Sequence, residues 1–542
     1  MSMQQILLSY GAGEDAGWVL MTNYVTSTPS TGYGDAAVNG VLYSSNEKLY
    51  LAYSYKDLND VDANKMGIAR VDLDGSNYTD LSQSRGLHSK SSYNNRRDIT
   101  LRGWDIDSND DLYLVAFVSD GNGTNNMSYR HFEWWKYDTS ANSVSWRRHL
   151  QSGSVWNDQK PQGNASSDMV VFNNGTKFRF CPGQYYAYTW GSGNKYSHCT
   201  GNTSNGTLSD KCITPADPGN DSTRLNMSWG SMGKWGNQSS SNKLLFAAGR
   251  FTPPNNSPHA CVGIWDGTSI SDLVARNDAS PYGSYKSRYP SDLITKKDGS
   301  VGYVVVDEYI QLTINGSTHG VSVPSITRFD SSMNRTNYQQ EKTKWWSSPH
   351  YLAVDDTGGS DDGCLYCATR VTTPTTLNGS NQDIYVAHLI KYTTSGNIDW
   401  IIKIDRPINN VGGSGVGPEG TFPNFNTYRV AVASDGSPIV YGKCRFDNQP
   451  NNPNNNTTSD RQKWFTPFVI KLPADGSFEG TIGTAQHEKW TITKITSFTA
   501  VSQSDKWTSS STNTSGVSWS DNNSAASSGA NNYGQTDRLT TF

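Results

Sequence analysis

Residues 431–446 read AVASDGSPIVYGKCRF, and residues 468–482 read FVIKLPADGSFEGTI. The first stretch reads as a strand, a turn at Asp435-Gly436 and a second strand. The second stretch gives a third strand over residues 468–472, a turn at Asp475-Gly476 and a fourth strand. Asp-Gly and Ser-Gly pairs tolerate the positive φ that tight turns between antiparallel strands need. Four short antiparallel strands in succession make one blade of a propeller, a unit that occurs only in multiples.

The multiples are present. Second-strand anchors recur at Leu49-Tyr50, Leu112-Tyr113, Phe178, Leu244-Leu245, Gly302-Tyr303, Leu365-Tyr366 and Ile439-Val440. Their spacing runs from 58 residues (Leu244 to Gly302) to 74 (Leu365 to Ile439). Third-strand ends recur independently as ARVDLDG from Ala69, WKYDTS from Trp135, GIWDGTS from Gly263, TRFDSS from Thr327, IKYTTSG from Ile390 and IKLPADG from Ile470. The third unit offers only HCTGNTSNG, from His198. Two markers in one order predict an all-β chain: a β-propeller of seven four-stranded blades near residues 33–90, 95–152, 165–213, 223–280, 289–343, 347–406 and 426–483, with six or eight blades as the alternatives. A single four-stranded sheet has too small a face to be stable alone, whereas sheets packed in a ring bury both faces. Residues 1–15 then form an apolar anchor peptide, 16–483 the propeller and 484–542 a Ser/Thr/Asn-rich extension. Residues 18–25 read as a strand placed to complete the last blade and close the ring.

Composition agrees with short strands joined by polar turns: 17% of residues are charged and 50 are glycine. A net charge of −4 with no basic run disfavours a nucleic-acid partner. No stretch approaches the ~20 apolar residues of a membrane span, and the N-terminus lacks the pattern of a signal peptide. Seven irregularly spaced cysteines make no disulfide framework and fit synthesis in a reducing cytoplasm. Cys364 and Cys367, three apart on a predicted strand, point to opposite faces and read as core rather than as a metal pair.

Candidate sites are few. Ile6, Leu7, Leu8 and Tyr10, ahead of Gly11-Ala12-Gly13, form a greasy end on a hinge, suited to docking on another protein or to lying on the propeller rim. Tyr186, Tyr188 and Trp190 share one face of a predicted strand, able to stack on sugar rings or to pack between blades. Residues 200–225 read as a polar loop on one rim. Asp307 and Glu308 are adjacent on a strand, so they face opposite ways and read as solvated charge rather than an acid/base pair. The Asp105, Asp107, Asn109 spacing suggests a calcium loop, but Asp110 and Ala116 occupy its Gly and Glu positions. Residues beyond Ser502 bury too little apolar surface to order themselves, so the tail reads as flexible or partner-ordered. No HExxH, GxSxG, phosphate-loop or sialidase aspartate-box motif occurs; no metal site or cofactor is expected.

The phrase AVASDGSPIVYG followed by FVIKLPADG resembles a bacterial propeller repeat, with residues 384–404 (IYVAHLIKYTTSGNIDWIIKI) close to its second half. The whole is similar to the propeller-repeat virion structural proteins of marine tailed phages, over roughly residues 16–483. Thr393 and Pro473 depart from the repeat where it carries Asp. The resemblance implies a non-enzymatic accessory protein on the capsid or tail surface. It would be anchored through its N-terminal peptide to other virion proteins and contact a host surface glycan. The alternative is a free-standing carbohydrate-binding or carbohydrate-cleaving propeller. Carboxylates converging on the axial channel, with aromatics beside them, would favour that alternative.

Overall fold

In the computed structural model, the described residues are 4–10, 17–23, 37–44, 46–57, 60–84, 97–120, 131–150, 159–161, 168–180, 184–187, 195–196, 198–215, 224–237, 241–252, 257–265, 270–276, 290–314, 316–344, 346–377, 380–405, 427–445, 465–482, 490–509, 519–521, 530–532 and 539–540. Among them the regular structure is all strand, and no helix is long and apolar enough to cross a membrane. The strands build antiparallel sheets in chain order, spanning residues 37–84, 97–150, 169–215, 224–276, 290–337, 346–405 and 427–471. Within each, consecutive strands are hydrogen-bonded neighbours. This is the meander of a propeller blade, and the sheets form a β-propeller arrangement.

Packing closes the ring. Each buried apolar cluster draws on two successive sheets, and one of them joins the 427–471 sheet to the 37–84 sheet. The first strands (Ala37–Tyr43, Arg97–Ile106, Met169–Phe172, Arg224–Lys234, Pro290–Thr295, Trp346–Val354 and Thr427–Val432) each contact the next, and the last contacts the first. They therefore surround a common axis. Close approach there demands small residues: a Cβ on Gly40 would lie 2.4 Å from the indole Nε1 of Trp104 on the neighbouring first strand.

The 427–471 sheet takes its outer strands from the N-terminus. Gly17–Asn23 pairs with Phe465–Lys471, and Gln4–Tyr10 pairs outside it. Trp18, 1% exposed, donates its Nε1–H to the carbonyl of Leu73 at 2.9 Å, tying this strand to the 37–84 sheet.

Two expectations are corrected. Within residues 200–225, strands His198–Asn202 and Leu208–Pro215 are the third and fourth strands of the 169–215 sheet, not a rim loop. The described parts of the C-terminal extension are strands on the propeller's own sheet edges. Trp490–Lys494, Trp507–Ser509, Trp519–Asp521, Ala530–Asn532 and Leu539–Thr540 add to the 346–405, 224–276, 169–215, 97–150 and 37–84 sheets. Between the first two, Ala500–Val501 pairs with Gln340–Glu341. The extension runs backwards round the ring, satisfying edge N–H and C=O groups that would otherwise be open. Backbone pairing with a preformed edge needs little apolar content, which composition alone does not register.

Candidate active site

The axis is lined by the first strands. Asp292, Tyr351 and Arg429 share one register on them, each three residues before the last paired residue of its strand, and Asp168 stands four before its own. All four also stand seven residues before a glycine with positive φ, namely Gly299, Gly358, Gly436 and Gly175. Because the sheets repeat one topology, similar register means similar depth along the axis.

The carboxylates are fixed by main-chain amides. Asp292 Oδ2 accepts a hydrogen bond from Leu352 N–H of the next sheet at 2.8 Å. Its Oδ1 accepts from Leu293 N–H at 2.9 Å and from the Ser231 hydroxyl at 3.4 Å. Asp168 Oδ2 accepts from Met232 N–H, again in the next sheet, at 3.1 Å. Asp105 Oδ2 repeats the device with Val171 N–H at 2.7 Å. Arg429 lays its guanidinium 4.5 Å from the Tyr351 ring centroid.

The electrostatics follow from burial and mutual charge. Burial first, and then the charge of Asp168, push the Asp292 carboxyl up to about 7, against the pull of the Leu352 and Leu293 amides and of Arg429. Burial also raises Asp168. Burial works to deprotonate Arg429, but Tyr351, Tyr441, Asp292 and Asp168 more than offset it, so its proton is held more tightly than usual. Arg102 is brought down to about 10, by burial and then by repulsion from Arg429. Two carboxylates of raised pKa thus share the axis with two guanidiniums and an aromatic ring.

A second group adjoins it. Asp307 Oδ1 accepts from the Ser291 hydroxyl and stands 3.5 Å from Nε2 of His350. Nδ1 of His350 lies 2.7 Å from the Thr369 hydroxyl. Burial pushes Asp307 up to about 6 and His350 down to about 3. The imidazole is therefore neutral near pH 7, and the 3.5 Å approach is not an ion pair. Nearer the first-hairpin turns, side chains from non-adjacent sheets cross the axis: Lys234 Nζ is 3.8 Å from Asp105 Oδ2, and Lys297 Nζ is 6.0 Å from the Tyr43 ring.

The residues singled out in the sequence lie elsewhere. Tyr186 is in Gln184–Ala187, part of a separate three-stranded sheet, where it pairs with Lys160. Tyr188 and Trp190 lie outside the described residues. Ile6, Leu7, Leu8 and Tyr10 pair through their backbone with Met21, Leu20, Val19 and Gly17. Cys367 belongs to an apolar cluster, and Asp107 caps its own turn by accepting from Asn109 N–H at 2.8 Å. Asp307 and Glu308 do face different surroundings, but the expectation of solvated charge is corrected. Glu308 is 6% exposed and receives Arg276 Nη2 at 2.8 Å, Lys506 Nζ at 2.5 Å and Gln340 Nε2 at 3.1 Å. Burial alone would raise its pKa; Arg276 and Lys506 reverse this and hold it at about 2.

Asp168, Asp292 and Arg429 were missed in the sequence. Their signal is an alignment of turns: Ser167-Asp168-Met169 and Ser291-Asp292-Leu293 precede their turn glycines by the same interval, and Arg429 falls on that position just before AVASDG.

No family model matches the chain, and no curated protein matches it. Among solved structures, it is similar to an α-L-arabinofuranosidase from Fusarium graminearum at 11% identity and a TM-score of 0.33, covering 82% of this chain and 93% of that one. It is also similar to extracellular domains 1–2 of Drosophila semaphorin 1a, at 9% identity and a TM-score of 0.26, covering 87% and 88%. A leech intramolecular trans-sialidase matches at 10% identity and a TM-score of 0.22, covering 87% and 69%. At these scores the likenesses assign neither substrate nor activity. Since glycoside-cleaving enzymes stand among them, the expectation of a non-enzymatic protein is withdrawn.

Proposed function

We propose that this chain is a seven-bladed propeller that binds and cleaves a glycan at its axis, with Asp292 as proton donor and Asp168 as its carboxylate partner. The blade count is supported by the seven successive sheets of four or more strands and by their closed ring of apolar clusters. The function is supported by one observation above all: two half-buried carboxylates on the first strands at the axis, one pushed up to about 7, beside Tyr351 and Arg429. Glycoside hydrolysis uses such a pair, one carboxyl protonated and the other ionised. Asp292 gives its proton to the leaving glycosidic oxygen as the bond from the anomeric carbon breaks. A water adds at that carbon and yields a proton to Asp168. Backbone amides from neighbouring sheets hold both carboxylates in place, so little reorganisation is needed at the moment of reaction.

The test is release of reducing ends from a panel of plant, algal and bacterial-surface polysaccharides by the purified protein. One substrate should be cut, with Asp292→Asn and Asp168→Asn each at least about 100-fold slower. A panel neither cut nor bound refutes the reading. The resemblance of the repeat to virion propellers supplies a proposed setting for the same chemistry: a particle surface, with the N-terminal segment contacting other virion proteins. Antibody labelling of intact particles tests that setting separately.

A further inference from the structure

We infer that the sugar taken at the axis is a sugar acid, its carboxylate received by the in-plane N–H groups of Arg429; this rests on the glycan reading above. The guanidinium of Arg429 has a face and an edge. Its face is spent on Tyr351, 4.5 Å from the ring centroid. Its edge is not: Nε is buried and has no hydrogen-bond partner among the described residues. Nor does any ion pair within 4.0 Å among the described residues include Arg429.

The nearby carboxylates are not free to swing across to it. Both oxygens of Asp292 are engaged, by Leu352 N–H on one side and by Leu293 N–H and Ser231 on the other. Asp168 is tethered to Met232 N–H. An arginine whose buried Nε–H meets no acceptor is costly, because buried donors without acceptors forfeit their hydration. A planar carboxylate meets that fork with two parallel charge-assisted bonds, a geometry that lysine cannot reproduce.

An anionic sugar also relieves the repulsion between Arg429 and Arg102. The hydroxyls of the same sugar suit Asp168, whose carboxylate accepts hydrogen bonds.

The test is calorimetric titration of the full chain with oligosaccharides of galacturonic, glucuronic, mannuronic and guluronic acid, each beside the same oligosaccharide with its carboxylates reduced to alcohols. One acid should bind at least about 100-fold more tightly than its reduced form. That preference should collapse in Arg429→Gln and fall part-way in Arg429→Lys. The acid-against-alcohol comparison on the wild-type protein stands even if a variant fails to fold. Equal binding of acid and reduced form overturns the inference and leaves the glycan reading intact. Binding of sulfated oligosaccharides or inorganic phosphate in place of the sugar acid also overturns it. No binding of any sugar, charged or neutral, takes both down together.

Discussion

Asp292 and Glu308 sit on the same sheet, yet their carboxyls are driven in opposite directions. Glu308 has Arg276 and Lys506 against it and is held at about 2; burial and then the charge of Asp168 push Asp292 up to about 7, against the pull of its amides. Opposite pH signatures follow. The Glu308 contribution is present above about 4.5, the unfolded value, and is lost as pH falls through about 2. Removing its charge strands Arg276, whose side chain is 2% exposed. Glu308→Gln should therefore lower stability by about 3–5 kcal/mol at pH 7, a deficit that closes as pH approaches 2. For Asp292 the folded form binds its proton more tightly than the unfolded form. Wild-type stability should thus fall, relative to Asp292→Asn, as pH rises from about 4 to about 7, and then level off. Urea titrations at a series of pH values measure both. A parallel pH course for wild type and Asp292→Asn would show that the carboxyl is not perturbed.

At the scale of the strand, the alternation and turn residues that define a blade are local, and so they were legible: the second-strand anchors and the Asp-Gly turns suffice for an all-β chain with a propeller arrangement. The axial residues are ordinary until the turns are aligned, since Asp168 and Asp292 resemble any strand-entry aspartate. The C-terminal strands were opaque for a different reason. Their order comes from edges built elsewhere in the chain, with a few deep anchors. Trp507 is 4% exposed, donates its Nε1–H to the Thr327 hydroxyl at 2.9 Å and meets Phe329 edge-on at 5.6 Å. Trp507→Ala should cost about 3–5 kcal/mol, the range for a large aromatic removed from a core. Val501→Ala, at a side chain 37% exposed on the same segment, should fall within about 0.5 kcal/mol of wild type. Equal, small effects in urea unfolding would mean that the segment does not dock.

For the whole molecule, the ends of the chain finish what the middle begins. The strand Gly17–Asn23 completes the 427–471 sheet and reaches the 37–84 sheet through Trp18. Deletion of residues 1–23 should therefore leave an opened ring that aggregates or melts in more than one step. Deletion of residues 1–11, which removes only the outermost strand, should keep a single transition. Size-exclusion chromatography with thermal melting separates the two outcomes.

The ring matters because it brings Asp168, Asp292 and Arg429 together from distant parts of the chain, and catalysis at that axis is the central claim. Its most direct test is the pH dependence of glycan cleavage by wild type, Asp292→Asn and Asp168→Asn on the best substrate of the panel. Activity should fall as pH rises through about 7, where Asp292 loses its proton. Either substitution should abolish that profile. Cleavage that persists unchanged in both variants, with the same pH course, would contradict catalysis by this pair.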